Sequence, residues 1–177
     1  MHVRFSARTH QGMRREINQD AYGSGHPGEA TLLVVCDGMG GHAAGEVASR
    51  LGVETIVAGV GQEQPPDEAL RAAFEAANAR IYAEGSGSMG TTGVAALFTQ
   101  NILHVANVGD SRAYLVREDA IVQISRDHSF VSDQVAAGLM TEEQARASSV
   151  RNIITRALGH SPEVEVDLFT AATTSRW

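Results

Sequence analysis

Four short segments combine glycines or small residues with a carboxylate or an arginine: Arg15-Glu-Ile-Asn-Gln-Asp20, Asp37-Gly-Met-Gly-Gly-His42, Gly90-Thr-Thr92 and Gly109-Asp-Ser-Arg-Ala-Tyr114. Asp37 follows directly on the apolar, β-branched-rich run 31–36, so it stands at the end of an expected buried strand. A carboxylate is poorly solvated there unless it is paired or binds a cation. Gly38 leaves the next carbonyl free to turn toward the same ion, and oxygen donors of this kind suit a hard divalent metal. A second reading of Asp37 is that it caps the helix expected to start near His42, since aspartate is a common cap.

The elements that must position these segments can be read from apolar periodicity. Residues 2–9 alternate, with Val3, Phe5 and Ala7 on one side, and read as a half-buried strand, while 31–36 reads as a fully buried one. A helix is expected over 42–60, with two apolar faces that imply a sandwiched position. A second is expected over 66–84, opened by Pro66 and Asp67 and closed by Gly85. After the glycine-serine loop 85–90, strands are expected at 94–98, 102–108, 112–116 and 120–124, with tight polar turns that imply an antiparallel meander. Helical segments return over 130–158, punctuated by Gly138, Thr141 and Gly159, and a strand at 164–169 ends the readable pattern. Helices grouped between sets of strands, without strict alternation, indicate an α+β fold with an antiparallel sheet covered by helices.

Composition narrows the function classes. A chain of 177 residues, 43% hydrophobic and 20% charged, is expected to form one soluble domain over 1–177. The 21 acidic against 14 basic side chains give a net charge of -7 without a basic block, so nucleic acid is not expected as a partner. The lone Cys36 cannot form an internal disulfide and is read as a buried structural thiol. The first fifteen residues lack the apolar stretch of a secretory signal, and no apolar run is long enough for a membrane span, so a cytoplasmic location is expected.

Taken together and in order, the four segments resemble the metal-dependent PPM or type 2C protein serine/threonine phosphatases in their bacterial form. The later Asp127-His-Ser129 and Asn152-Ile-Ile-Thr-Arg-Ala-Leu-Gly159 segments extend the resemblance from about residue 3 to the end. It implies a sandwich of two antiparallel sheets flanked by helices on both faces (αββα). It further implies two Mn²⁺ or Mg²⁺ ions, with Asp37 bridging them, the Gly38 carbonyl on one and Asp20 on the other. A water between two cations about 3.5–4 Å apart would then be the nucleophile. Arg15 matches the phosphate-binding arginine, whose planar guanidinium holds two phosphate oxygens at once. Asp110 matches a position that holds a weaker third metal. In some members a histidine directly follows the Asp-Gly pair; here that position is Met39, and His42 is the nearest candidate for an acid, with a hydrogen-bonding role as the alternative. His128 is expected to be structural, and the Thr91 and Thr92 hydroxyls to bond around the site. The implied partner is a phosphorylated protein, including a Ser/Thr kinase or its targets, while oligomeric state is left open.

The resemblance also implies a serine-aspartate-glycine and an aspartate-asparagine segment that would complete the first metal site, and neither occurs in these residues. The chain is accordingly expected to be the N-terminal part of such a domain, lacking its C-terminal strands, with weak Mn²⁺ binding and little or no phosphatase activity alone. Residues 148–150 replace a histidine-proline pair common in the family. Two rival functions follow from the same residues. One is a pseudophosphatase that binds phosphoproteins or regulates them. The other is nucleotide binding, since Gly38-Met-Gly40-Gly-His-Ala43 fits a Gly-x-Gly-x-x-Ala pattern; the adjacent Asp37 charge and the absence of a βαβ unit argue against it.

Overall fold

The computed structural model describes residues 2–13, 16–41, 43–118 and 120–173. Among the described residues, eight strands and four helices occur in the order β1 (Asp20–Gly25), β2 (Thr31–Met39), α1 (Ala44–Gly59), α2 (Pro66–Gly85), β3 (Gly90–Thr91), β4 (Gly93–Thr99), β5 (Ile102–Val108), β6 (Tyr114–Arg117), β7 (Ala120–Gln123), α3 (Phe130–Ala136), α4 (Glu142–Ala147) and β8 (Asp167–Ala172). The main sheet is antiparallel, ordered β1-β2-β4-β5-β8, with β3 paired to the end of β2. The ribbon β6-β7 forms the second, smaller sheet. This is the expected α+β class, with antiparallel sheets and helices.

One face of the sheet is built for helices. Leu32, Val34 and Cys36 of β2, Ala95 and Leu97 of β4, and Ala106 and Val108 of β5 share a core with Ile56 of α1 and Leu70, Phe74 and Ile81 of α2. Helix α1 is sandwiched, as its two apolar faces indicate. A methyl group on Gly52 would touch Cys36 and Thr91, whereas one on Gly59 would touch Ala73 of α2. The α2 stripe buries Ala69, Leu70, Ala73, Phe74, Ala77 and Ile81, and Pro66 occupies its first turn where no backbone donor is needed. On the opposite face Val94, Leu103 and Val105 meet Phe98, Phe169, Ala113 and Ile124, so the ribbon's ends anchor to the sheet.

Several expectations are corrected. Residues 2–9 form no strand, and Phe5 is 48% exposed; apolar alternation alone does not make a strand where the backbone joins no ladder. Instead β1 is Asp20–Gly25, pairing with β2 from Asp20↔Asp37 to Gly25↔Leu32. The 31–36 run is buried on one face only, because Val35 is 47% exposed on the side away from the helices. Helical structure ends at Ala147. Residues 148–158 run irregularly, held by bridges Thr91↔Leu158 and Ser129↔Ile154, so their apolar residues serve a non-helical crossing. The last strand starts at Asp167, three residues later than its apolar pattern suggests.

Candidate active site

Asp20 and Asp37 are direct cross-strand partners at one end of the β1-β2 pair. Side chains of such partners leave the same face with Cβ atoms about 4.5–5.5 Å apart. That face is the one away from the helices, since the alternate residues Ala21 and Gly23 turn toward α1. Both carboxylates are exposed, which corrects the expectation of a poorly solvated Asp37. Two like charges placed opposite each other repel, and a shared cation converts that repulsion into attraction.

Asp37 is not the N-cap residue of α1; that position is Ala43, which makes no side-chain cap hydrogen bond. Gly38 is glycine for a reason other than backbone freedom. It has no positive φ. A methyl group there would overlap the Gly45 carbonyl oxygen, and one on Gly45 would come 2.9 Å from the Gly38 carbonyl carbon. The first turn of α1 is thus seated directly on the end of β2. On the other side the Gly38 N–H donates to the Gln19 carbonyl at 2.9 Å, which fixes the approach to Asp20.

Thr92 fastens this end of β2 to the next loop. Its hydroxyl accepts from the Asp37 N–H at 2.9 Å and lies 2.6 Å from the Ser111 hydroxyl. Thr91 is also wholly buried, its backbone bonded in both directions to Leu158. Burial pushes the neighbouring Cys36 thiol up to about 12, against a hydrogen bond with Thr91, so it is an inert core group.

Asp110 lies one residue before Ser111 and opens on a groove of about 920 Å³ lined also by Arg112, Gln123, Asp127, Arg146 and Arg151. Burial holds its carboxyl above the ordinary range, its own backbone hydrogen bond opposing, with Asp127 adding to the rise and Arg112 offsetting part of it. Arg112 grips Asp127 through Nε at 2.9 Å and Nη2 at 2.6 Å, and Gln123 donates to the same carboxylate at 2.9 Å. The Arg112–Asp127 pair was not foreseen from sequence. The signal was available in the ribbon, because pairing Tyr114 with Gln123 brings the flanking residues together.

The structure therefore brings Asp20, Asp37 and Gly38 together and joins the Asp110 loop to them through Thr92. Among the described residues, no three histidine, cysteine, aspartate or glutamate side chains gather closely enough to cage a metal ion. Arg15 and His42 lie outside the described residues.

Residues 4–137 match the family described as Protein phosphatase 2C. The chain belongs to the protein phosphatase 2C family. Over 170 residues this family member is 41% identical to the serine/threonine protein phosphatase PstP of Mycobacterium tuberculosis, a match covering 91% of the chain but 32% of PstP. The chain thus spans about a third of that curated relative. The crystal structure of the serine/threonine phosphatase Stp1 from Staphylococcus aureus superposes with a TM-score of 0.86 at 38% identity, over 92% of this chain and 68% of Stp1. The catalytic domain of PstP in complex with two manganese ions gives a TM-score of 0.80 at 37% identity, over 96% of this chain and 72% of that one.

Proposed function

We infer that this chain serves the metal-dependent hydrolysis of phosphoserine and phosphothreonine in proteins. The observation that carries the reading is the direct opposition of Asp20 and Asp37 on one exposed sheet face, in a chain of the protein phosphatase 2C family. Exposed carboxylate oxygens are the donors that Mn²⁺ or Mg²⁺ takes, so the residues present fit such an ion. Asp20, Asp37 and the Gly38 backbone would hold it, and a related PstP catalytic domain is described with two manganese ions. Bound ions of this kind supply acidification of a water and stabilisation of charge on a transferring phosphoryl group.

The chain's own groups do the positioning. Thr92 fixes the backbone on which the Asp37 carboxylate rides, and Gly38 seats that backbone against α1. Arg15 is assigned to the phosphate and His42 to proton transfer from their places in the motifs, and Asp110 to a weaker third ion. Two carboxylates and a carbonyl are few against the roughly six oxygens a hard cation takes, so weak metal binding and low turnover are expected of these residues alone. A phosphorylated protein in the cytoplasm, such as a Ser/Thr kinase or its targets, is the proposed substrate. Among the described residues no helix is long and apolar enough to cross a membrane.

The test is turnover of p-nitrophenyl phosphate and a phosphothreonine peptide with Mn²⁺, with Mg²⁺ and with EDTA. Metal-dependent phosphate release that EDTA abolishes supports the reading. Tight phosphopeptide binding without any turnover at millimolar Mn²⁺ would overturn it in favour of a pseudophosphatase.

A further inference from the structure

His128 is buried beside the 109–112 loop, and the hydrolytic reading gives it no part. Its backbone N–H donates to the Gly109 carbonyl at 3.0 Å, and its Nδ1 accepts the N–H of the same Gly109 at 3.0 Å. A ring nitrogen that accepts carries no proton, so the imidazole is neutral with its hydrogen on Nε2. Asp167 Oδ2, 3.1 Å from Nε2, is an acceptor for that hydrogen. Arg156 Nη1 donates to the other oxygen of Asp167 at 2.7 Å and lies 3.1 Å from His128 Nε2. With Nδ1 accepting from Gly109, Nε2 is left to hold the ring hydrogen, and the Asp167 carboxylate is the acceptor within reach of both it and Arg156.

Gly109 needs this support. Its φ of +102° lies in the region that side-chain-bearing residues avoid. A methyl group there would come 2.7 Å from the Thr92 side chain. The wholly buried Asn107 adds a third hold, with Nδ2 donating to the Gly109 carbonyl at 3.3 Å and to the Arg126 carbonyl at 2.7 Å. Two residues beyond Gly109, the Ser111 hydroxyl meets Thr92, whose hydroxyl and N–H both bond the Asp37 backbone.

We propose that His128 is a positioning residue for the proposed hydrolysis: in its Nε2-protonated form, oriented by Asp167 and Arg156, it clamps Gly109 so that the 109–112 loop locks Thr92 onto Asp37. The proposal rests on the phosphatase reading only for its effect on turnover. The clamp itself is a property of this chain.

The two ring nitrogens can be separated by substitution. The carboxamide oxygen of His128→Asn falls near the Nδ1 position and can still accept from Gly109, whereas the amide of His128→Gln reaches toward Asp167 and leaves the Gly109 N–H without its acceptor. Amide hydrogen exchange is read at Gly109 and, as an internal reference, at Val105, which is paired on both sides within the sheet. The expected result is that His128→Gln speeds Gly109 exchange by about tenfold, one buried hydrogen bond, with Val105 unchanged, while His128→Asn stays close to the original protein. With Mn²⁺ and p-nitrophenyl phosphate, kcat should fall in the Gln variant and hold in the Asn variant, with KM alike in both. Equal exchange at Gly109 in the two variants, or parallel acceleration at Gly109 and Val105, would show a role in general packing and overturn the proposal. Should the Gln variant not fold, fast Gly109 exchange in His128→Asn with Val105 unchanged would overturn it as well. If the original protein shows no turnover, the phosphatase reading fails, yet the exchange data still decide whether His128 clamps Gly109.

Discussion

Thr92 grips the Asp37 peptide unit from both sides: its N–H donates to the Asp37 carbonyl at 2.9 Å while its hydroxyl accepts the Asp37 N–H, also at 2.9 Å. Asp37 is exposed, but the backbone that carries it is thus fixed by a threonine with no solvent access. Replacing Thr92 by valine keeps the shape and removes the hydroxyl that serves both Asp37 and Ser111. Leaving these groups unpaired should cost about 1–3 kcal/mol, whereas Thr92→Ser should cost less because the oxygen stays. Urea denaturation of both variants checks this, and equal losses would show that the methyl group, not the hydroxyl, matters.

Gly38→Ala is expected to prevent a properly packed fold. The added methyl collides with backbone atoms of Gly45 and Gln19, which cannot rotate away as a flexible side chain could. Gly41→Ala is the control, since nothing lies within 4 Å of its added methyl. Circular dichroism and melting temperature should separate the two variants clearly; a Gly38→Ala protein as stable as the control would mean that α1 is not seated on β2 as described.

Asp20→Asn should change the sign of its effect with metal. Without divalent cations it removes one of two opposed like charges and should raise stability slightly, by about 0.2–1 kcal/mol. With Mn²⁺ it should lower the metal-induced rise in Tm, because a ligand has been lost. Differential scanning fluorimetry with and without Mn²⁺ measures both arms. A variant whose metal-induced shift equals that of the original protein would remove Asp20 from the metal site.

The Asp167 carboxylate makes stability depend on pH. Partial burial pushes its pKa up, but hydrogen bonds from His128 and Arg156, aided by the Arg156 charge, outweigh burial and hold it below the ordinary carboxylate range. A folded-state pKa below the unfolded one means that the unfolded chain takes up the proton more readily. Its stabilisation is therefore complete above the unfolded value and is lost as pH falls through the folded one. Asp167→Asn should flatten this acid-side loss and leave the neutral-pH slope unchanged. Urea midpoints across the acid range check it, and an unchanged acid profile would contradict the assignment.

Much of this architecture is legible in the sequence because burial imposes period. The 66–84 stripe became α2 within a residue, and the turn at 99–101 closes β4 onto β5 as its polar residues indicate. What could not be read lacks a local signature. The strand β1, Asp-Ala-Tyr-Gly-Ser-Gly, carries little apolar signal, because Gly23 and Gly25 are the surfaces on which Val53 and Val57 rest. Conversely, residues 2–9 have the strand pattern without a partner. At the site, the carboxylates and Gly38 could be picked out by type, but the reason for Gly38 lies across space in Gly45. The clamp on Gly109 depends on residues spread from Asn107 to Asp167, which no short motif contains.

The pairing of β5 with β8 bears on how the chain reaches its native state. Strands β4 and β5 are joined by a tight turn, so their ladder from Gly93↔Val108 to Thr99↔Ile102 closes a very short loop. By contrast, β8 returns to β5 only after the ribbon, α3, α4 and the irregular crossing have intervened. The entropy lost in closing a loop grows with its length, so distant partners meet after neighbouring ones have formed. Strand β8 should therefore dock late in folding, and with it Asp167. The hairpin that precedes Gly109 can form early, but the Asp167 acceptor for His128 arrives with β8, so the clamp on Gly109 acquires its geometry only once that strand has docked.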